Sequence, residues 1–285
     1  MLASMTGFGK ASCTLTDKTI TVEMKALNSK NMDLNIRMSS AYRDQEMTMR
    51  KHLAEELGRG KIDVFILTES NLSSTKDVIN EEVVKAYMAQ LKDIADGDEV
   101  HHLQIAMRLP DVLQSRKTEL DDKELEAVWV TLKAALVALN NFRKNEGTVL
   151  KIDFEMRIAA IAELLEQIKT MEPLRMQKIN DRLRKSLADL KAHVDENRFE
   201  QELIFYLEKL DITEEMVRLT NHLNYFVETM NLEESSGKKL GFISQEMGRE
   251  INTIGSKAND SEMQQLVVRM KDELEKIKEQ LLNVL

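Results

Sequence analysis

Two stretches near the C-terminal end carry acids, cations and an imidazole at helical spacing. In KLDITEEMVRLTNHLNYF (209–226), Ile212, Met216, Leu219, Leu223 and Phe226 fall on one side of a helix. Asp211, Glu214, Glu215, Arg218 and His222 gather on another. In GKKLGFISQEMGREINTIGSKAND (237–260), Ile243, Met247, Ile251 and Ile254 form the apolar side, and Glu246, Arg249, Glu250 and Thr253 a polar one. If the two helices lie side by side, Asp211, Glu214, Glu215, Glu246 and Glu250 with His222 have the donor chemistry of a hard divalent site, with Asp211, Glu215, Glu246 and Glu250 the expected ligands. Carboxylate oxygens suit Mg2+ or Mn2+, and Mn2+ tolerates imidazole. Such ions activate water and stabilise charge during phosphodiester cleavage. Glu246 and Glu250, one turn apart, can address one ion, and His222 is a candidate general base. Arg218, Arg249 and Lys257 have the chemistry to hold phosphates. The competing reading is an interhelical salt-bridge network, since each acid has an arginine within a turn. The residues alone leave both readings open.

The second stretch also carries Gly241, Gly248 and Gly255, seven residues apart. A glycine costs a helix interior about 1 kcal/mol relative to alanine. The ridge they form lies beyond the apolar face, opposite Glu246. It is expected to be a smooth surface that lets another helix, or another subunit, approach closely.

The elements that must position these faces are read from periodicity. TITVEMKALN (19–28) and MDLNIRM (32–38) alternate as half-buried strands do, and KIDVFILTE (61–69) is a third, more apolar strand. YRDQEMTMRKHLAEELGRG (42–60) between them reads as a helix closed by Gly58 and Gly60. MTGFGK at the start lacks the spacing of a phosphate-binding loop, so Met5–Phe8 is expected to begin an edge strand. A loop and helix over 73–99 precede a short segment broken at Pro110, where His101 and His102 read as loop or surface residues. From about 121 the pattern is helical. One long amphipathic helix is expected to stop near Pro173. A basic helix, 174–194, follows, with Ile179, Leu183, Leu187, Leu190 and Val194 on one face and Arg175, Lys178, Arg182 and Lys185 on another. Then come 199–230, 237–255 and a last helix, 262–284, with Ser261 and Gln264 as a capping box. The expected fold class is α+β: a small N-terminal α+β portion (1–120) followed by a long, predominantly helical C-terminal region (121–285).

Bulk properties narrow the setting. The chain has 285 residues, 42 % hydrophobic and 31 % charged, which supports a real core. No run of about 18 apolar residues is evident, so no membrane partner is expected. The single cysteine, Cys13, excludes an intramolecular disulfide and reads as a small apolar filler. With no secretory leader in the first residues, a cytoplasmic location is expected. The net charge of −9 argues against nucleic acid, but the basic stretch 175–191 shows that local fields differ from the total.

SMTGFGKA (4–11), LNSKNMDLNIRM (27–38), RGKIDV (59–64), the DITEEMVRL stretch with His222 (211–222) and GKKLGFISQEMGREINTIGSKAND together resemble the YicC family of bacterial proteins, in order and along the whole chain. The resemblance implies an endoribonuclease that cuts single-stranded RNA with a divalent metal ion, in a hexameric assembly whose channel receives RNA. The family pattern falls on Asp211, Glu214, Glu215, Arg218 and His222, and on Gln245, Glu246, Arg249, Glu250, Asn252 and Lys257. Two departures are visible: Gly248 stands where asparagine is usual, and Lys30 or Asn31 where arginine is frequent. On this reading Lys25, Lys30, Arg37, Arg43 and the 175–185 basic face, with Arg182 and Lys185, draw RNA in. An adaptor that presents transcripts to other RNA-decay enzymes without cutting, and a scaffold with no nucleic-acid partner, are the competing functions. The exposed stripe of 262–284 and the glycine ridge are the expected assembly surfaces.

Overall fold

The computed structural model describes residues 2–29, 31–70, 77–115, 121–189, 195–232 and 237–285. Four strands build the N-terminal sheet: β1 (Gly7–Thr14), β2 (Lys18–Leu27), β3 (Met32–Arg37) and β4 (Gly60–Ser70). Their order is β1-β2-β4-β3, with β3 parallel to β4 and the other pairs antiparallel. The chain crosses from β3 to β4 through a 3-10 turn (Ser40–Gln45) and α1 (Glu46–Leu57). Gly58 and Gly60, both at positive φ, close that helix as their spacing predicts. Alternation puts Ile20, Val22, Met24 and Ala26 of β2 on one face beside Ile62, Val64 and Ile66 of β4. There they meet Met49, Leu53 and Leu57 of α1 and Val128, Leu132, Ala135 and Leu139 of α4 (Asp122–Asp189).

Gly9 explains the glycines of the N-terminal motif. A Cβ on it would stand 2.2 Å from the Ala135 carbonyl oxygen, so only glycine lets β1 lie this close on α4. β1 is the sheet edge, as expected. Between β4 and α4, a small unit of β5 (Asp77–Ile79), α2 (Glu81–Ile94), α3 (Glu99–Ala106) and β6 (Leu113–Ser115) has its own core of Val84, Ala106 and Val112. The two short strands were not expected, and His102 is buried on α3 rather than in a loop.

The C-terminal region is a helical bundle: the second half of α4 with α5 (Glu196–Leu210), α6 (Thr213–Met230), α7 (Gly237–Lys257) and α8 (Ser261–Leu281). Three expectations are corrected here. First, α4 does not stop at Pro173 but continues to Asp189. Pro173 and Leu174 are exposed, so the backbone bond that proline cannot make faces water. Next to them, buried Arg175 fastens the helix, donating to Glu172 at 2.7 Å, to the Leu210 carbonyl at 2.7 Å and to the Lys257 carbonyl at 3.2 Å. Second, 199–230 is two helices with a turn at Asp211–Ile212. Third, the cap of α8 is Asp260, whose carboxylate accepts from the Glu262 and Met263 amides; Gln264 instead donates to the carbonyls of Gly255 and Ala258, tying α8 to the end of α7.

The apolar stripe of α8 is covered within the chain: Met263, Met270, Leu274 and Ile277 are all buried in the bundle core. It is therefore not an exposed assembly surface. The glycine ridge meets that same helix. A Cβ on Gly248 would stand 3.3 Å from Leu274, and one on Gly255 2.9 Å from Val267, whereas Gly241 faces open space. Close packing is thus what Gly248 and Gly255 permit, and the helix they admit is α8. α4 is long and apolar enough by composition alone to cross a membrane, although no uninterrupted apolar run of about 18 residues occurs in it. The inner face of that helix packs on the sheet and then on the bundle.

Candidate active site on the α6 and α7 faces

α6 and α7 run antiparallel, joined through 231–236, and their buried apolar faces are those read from the sequence. Lys257 near the end of α7 donates to Glu215 Oε1 near the start of α6 at 2.8 Å, and to the Asp211 carbonyl at 3.0 Å. That contact sets the level of one helix against the other. Moving seven residues along each, at about 1.5 Å per residue, brings His222 level with Glu250.

The acids divide by burial. Glu214 and Glu246 reach solvent, and each is paired with the arginine on its own helix, Arg218 and Arg249. Glu215 and Glu250 are 6 % and 8 % exposed. Glu215 Oε2 is fully enclosed and has no hydrogen-bond partner; the other such side-chain atoms among the described residues, Arg143 Nε and Thr229 Oγ1, are not carboxylate oxygens. Glu250 is in none of the hydrogen bonds or ion pairs found among the described residues, and His222 stands half-buried at its level. The salt-bridge reading thus holds for the exposed acids and fails for Glu250.

Asp211 is corrected as a member of the helix face. It lies in the turn between α5 and α6, where its carboxylate accepts from the Thr213 hydroxyl at 2.6 Å and the Thr213 amide at 2.9 Å. The Thr213 hydroxyl bond, chiefly, holds its carboxyl below the usual carboxylate range. The four expected ligands do not converge: among the described residues, no three His, Cys, Asp or Glu side chains stand close enough to hold a metal ion. Asp211 is engaged by Thr213, Glu246 by Arg249, and Glu215 on one side by Lys257.

The expected RNA contacts also divide. Arg182 and Lys185 are exposed near the end of α4, but Arg175 of the same stretch is buried at 4 %. Arg37 is exposed on β3 and lies over the Phe65 ring at 5.4 Å. Arg218 and Arg249 are exposed, while Lys257 serves Glu215. Lys30 lies outside the described residues. Sequence reasoning missed the buried pair of Glu172 and Arg175, which anchors α4 beneath the site; the acid and base three residues apart on one helix were its only signal.

Comparison with known proteins places this arrangement. A family model described as "Endoribonuclease YicC-like, N-terminal region" matches residues 2–152, and one described as "Endoribonuclease YicC-like, C-terminal" matches residues 168–285. A protein of Clostridioides difficile named "Probable endoribonuclease YicC" is 34 % identical over 300 aligned residues, covering 100 % of both chains. One of the same name from Haemophilus influenzae is 26 % identical over 289 residues, again covering 100 % of both. The second family model spans α6 and α7 entirely, so the faces described above lie in the matched region, and the chain belongs to the YicC-like endoribonuclease family.

Proposed function

We propose that the chain is an endoribonuclease that cuts single-stranded RNA with a divalent metal ion, Mg2+ or Mn2+, working as a cytoplasmic homo-oligomer, a hexamer, whose channel receives the substrate. The observation that carries this reading is Glu215, whose enclosed Oε2 has no hydrogen-bond partner, on a helix adjacent to the one carrying Glu250, a residue 8 % exposed, in a chain of this family. A buried carboxylate oxygen with no donor costs about 1–3 kcal/mol or more, and such a cost is retained where a ligand repays it.

The residues fit a sparsely held ion rather than a closed cage. Mg2+ characteristically keeps several waters and takes one or two carboxylates plus substrate phosphate oxygens. Glu250 would be such a carboxylate, with Glu215 about 10 Å further along the helix pair. A bound ion there would neutralise charge on the scissile phosphate and acidify a water. The chain's own side chains supply the rest. Lys257 holds Glu215 in one orientation. Arg218 and Arg249 exchange their intrahelical carboxylates for phosphate oxygens, and His222 beside Glu250 takes or returns a proton. Arg182, Lys185 and Arg37 draw the strand in by charge.

The contact between Lys257 and Glu215 favours a second reading, a non-cutting adaptor whose acidic face is structural. Incubating purified protein with a labelled single-stranded RNA, with and without chelator, separates the two. Cleavage that needs added Mg2+ or Mn2+ and leaves no 2′,3′-cyclic phosphate is expected, because water rather than the 2′-hydroxyl attacks. No cleavage under any ion supports the adaptor. Cleavage in chelator with cyclic ends overturns the metal and leaves His222 as the leading base.

A further inference from the structure

The side of α4 turned away from both cores is apolar and uncovered. Val130, Val137, Val149, Ile152 and Met156 expose 60, 58, 61, 61 and 60 % of their surface. Counted outward from position 143, this face reads alike in both directions. Asn141 mirrors Asn145, Val137 mirrors Val149, Ala134 mirrors Ile152, and Val130 mirrors Met156. One step further out Ala127, half-buried at the border with the N-terminal core, mirrors exposed Ala159, and at the ends exposed Lys123 mirrors exposed Glu163. The steps between neighbours are three or four residues throughout, the period of a helix-pairing seam.

We propose that two copies of the chain pair through this face, with their α4 helices antiparallel about a two-fold axis at position 143. The inference rests on the reading that the chain assembles, and it names the surface. A two-fold contact is self-complementary: if position i meets position j, then j meets i. On antiparallel helices that requires the paired numbers to share one sum, as the six pairs above do. The charges choose the direction. Antiparallel pairing sets Lys123 against Glu163 at both ends, whereas parallel pairing sets lysine against lysine and glutamate against glutamate. Asn141 and Asn145 meet near the axis, where their amides can donate and accept across the seam and fix its register.

The same features exclude a bilayer as the occupant, since amides at the middle of a stripe and charges at both ends suit hydrocarbon poorly. Surface area points the same way. The chain exposes 18550 Å² at 32.7 kDa, against about 12,400 Å² for a compact monomer of that mass. The face runs about 60 Å along the helix, enough length for a seam of many turns.

The test is light scattering on the full chain and on the double variant Val137→Asp with Val149→Asp. Both sites are exposed, so circular dichroism should show an unchanged fold. The wild type is expected at a multiple of the chain mass and the variant at no more than half of it. An assembled wild type with an unchanged variant overturns this surface while leaving assembly standing. A wild type at single-chain mass overturns both, and so does single-chain protein that floats with phospholipid vesicles. Direction is tested separately: Lys123→Glu should weaken association about ten-fold, by setting like charges opposite at two places, and adding Glu163→Lys should restore it. Failure of that rescue overturns the antiparallel register.

Discussion

Two buried carboxylates of this molecule, one in each core region, have opposite fates. Glu124 sits between the sheet and the first turn of α4. It accepts from Lys18 at 2.6 Å through one oxygen and from the Tyr42 hydroxyl through the other, and Tyr42 in turn shares a hydrogen bond with Thr68 at 3.0 Å. Both of its oxygens are in use, and the group closes the edge of the N-terminal core. Glu215 is as deeply placed, yet one oxygen is held by Lys257 and the other by nothing. A satisfied network rigidifies a fold, whereas a half-satisfied one is costly and is kept where it serves something else. Burial alone would rank the two acids together; the count of donors separates a structural acid from a candidate site.

The comparison can be broken most forcefully at the chemistry. Glu250→Gln and His222→Ala are expected to fold, assemble and bind RNA, but to cut about two to four orders of magnitude more slowly. Wild-type rates in both variants would make the acidic face a structural network. Next comes stability. Glu124→Gln should cost about 2 kcal/mol in chemical denaturation, because Lys18 loses its buried counter-charge, and should leave specific activity unchanged. Glu215→Gln should cost less than Glu124→Gln yet abolish most cleavage. The reverse order would erase the distinction drawn here.

Packing sharpens the same contrast at a third place. Gly248→Leu should destabilise the chain by about 1–3 kcal/mol, since the new side chain drives into Leu274 of its own α8. The expected readout is a lower denaturation midpoint in a particle whose mass is unchanged. Weaker still is the effect of reversing Arg182 and Lys185 to glutamate. RNA affinity should fall about equally for unrelated sequences, and the slope of log affinity against log salt should shrink by about 1.4. An unchanged slope would mark that end of α4 as a solvated face.

The last expected effect is confined to alkaline pH. Burial, helped by Glu124, pushes the Tyr42 hydroxyl up to about 12 from an ordinary value near 10. A group whose value is raised on folding lends stability that is complete below the unfolded value. That stability drains away as pH climbs from about 10 to 12. Unfolding free energy should therefore fall more steeply over that window in wild type than in Tyr42→Phe. Parallel curves would show that Tyr42 is not held neutral by the fold.

What the sequence disclosed, and what it hid, follows from the range of the forces involved. Helical periodicity is local, so the apolar faces of Ile212 to Phe226, Ile243 to Ile254 and Met263 to Val284 were legible, and all are buried. The β-strands of the sheet were legible for the same reason. The continuation of α4 through Pro173 was not, because the contacts that support it are the carbonyls of Leu210 and Lys257, 35 and 82 residues away in the chain. The turn at Asp211 was hidden behind an unbroken helical pattern. The pairing of Glu215 was misjudged because the nearest cation in sequence is Arg218, while the one that reaches it is Lys257, 42 residues on. The burial of Glu250 was predicted by nothing local, since its neighbours Glu246 and Arg249 share its polarity and lie in solvent.

One feature of the architecture bears on how the chain is made. The first half of α4 packs on strands already synthesised, so the sheet has its helical cover as soon as residues near Leu139 emerge. The second half has no such ready partner. Phe154, Ile158, Ile161, Leu165 and Ile168 are buried in the bundle core, where α4 packs on α8 and α6, which the ribosome delivers many residues later. A growing chain therefore carries a folded N-terminal module on a helix whose far end is bare and greasy until translation is nearly finished. That interval is when a chaperone has most to bind, and when a pause or truncation between residues 170 and 260 would leave the nascent protein most prone to aggregate.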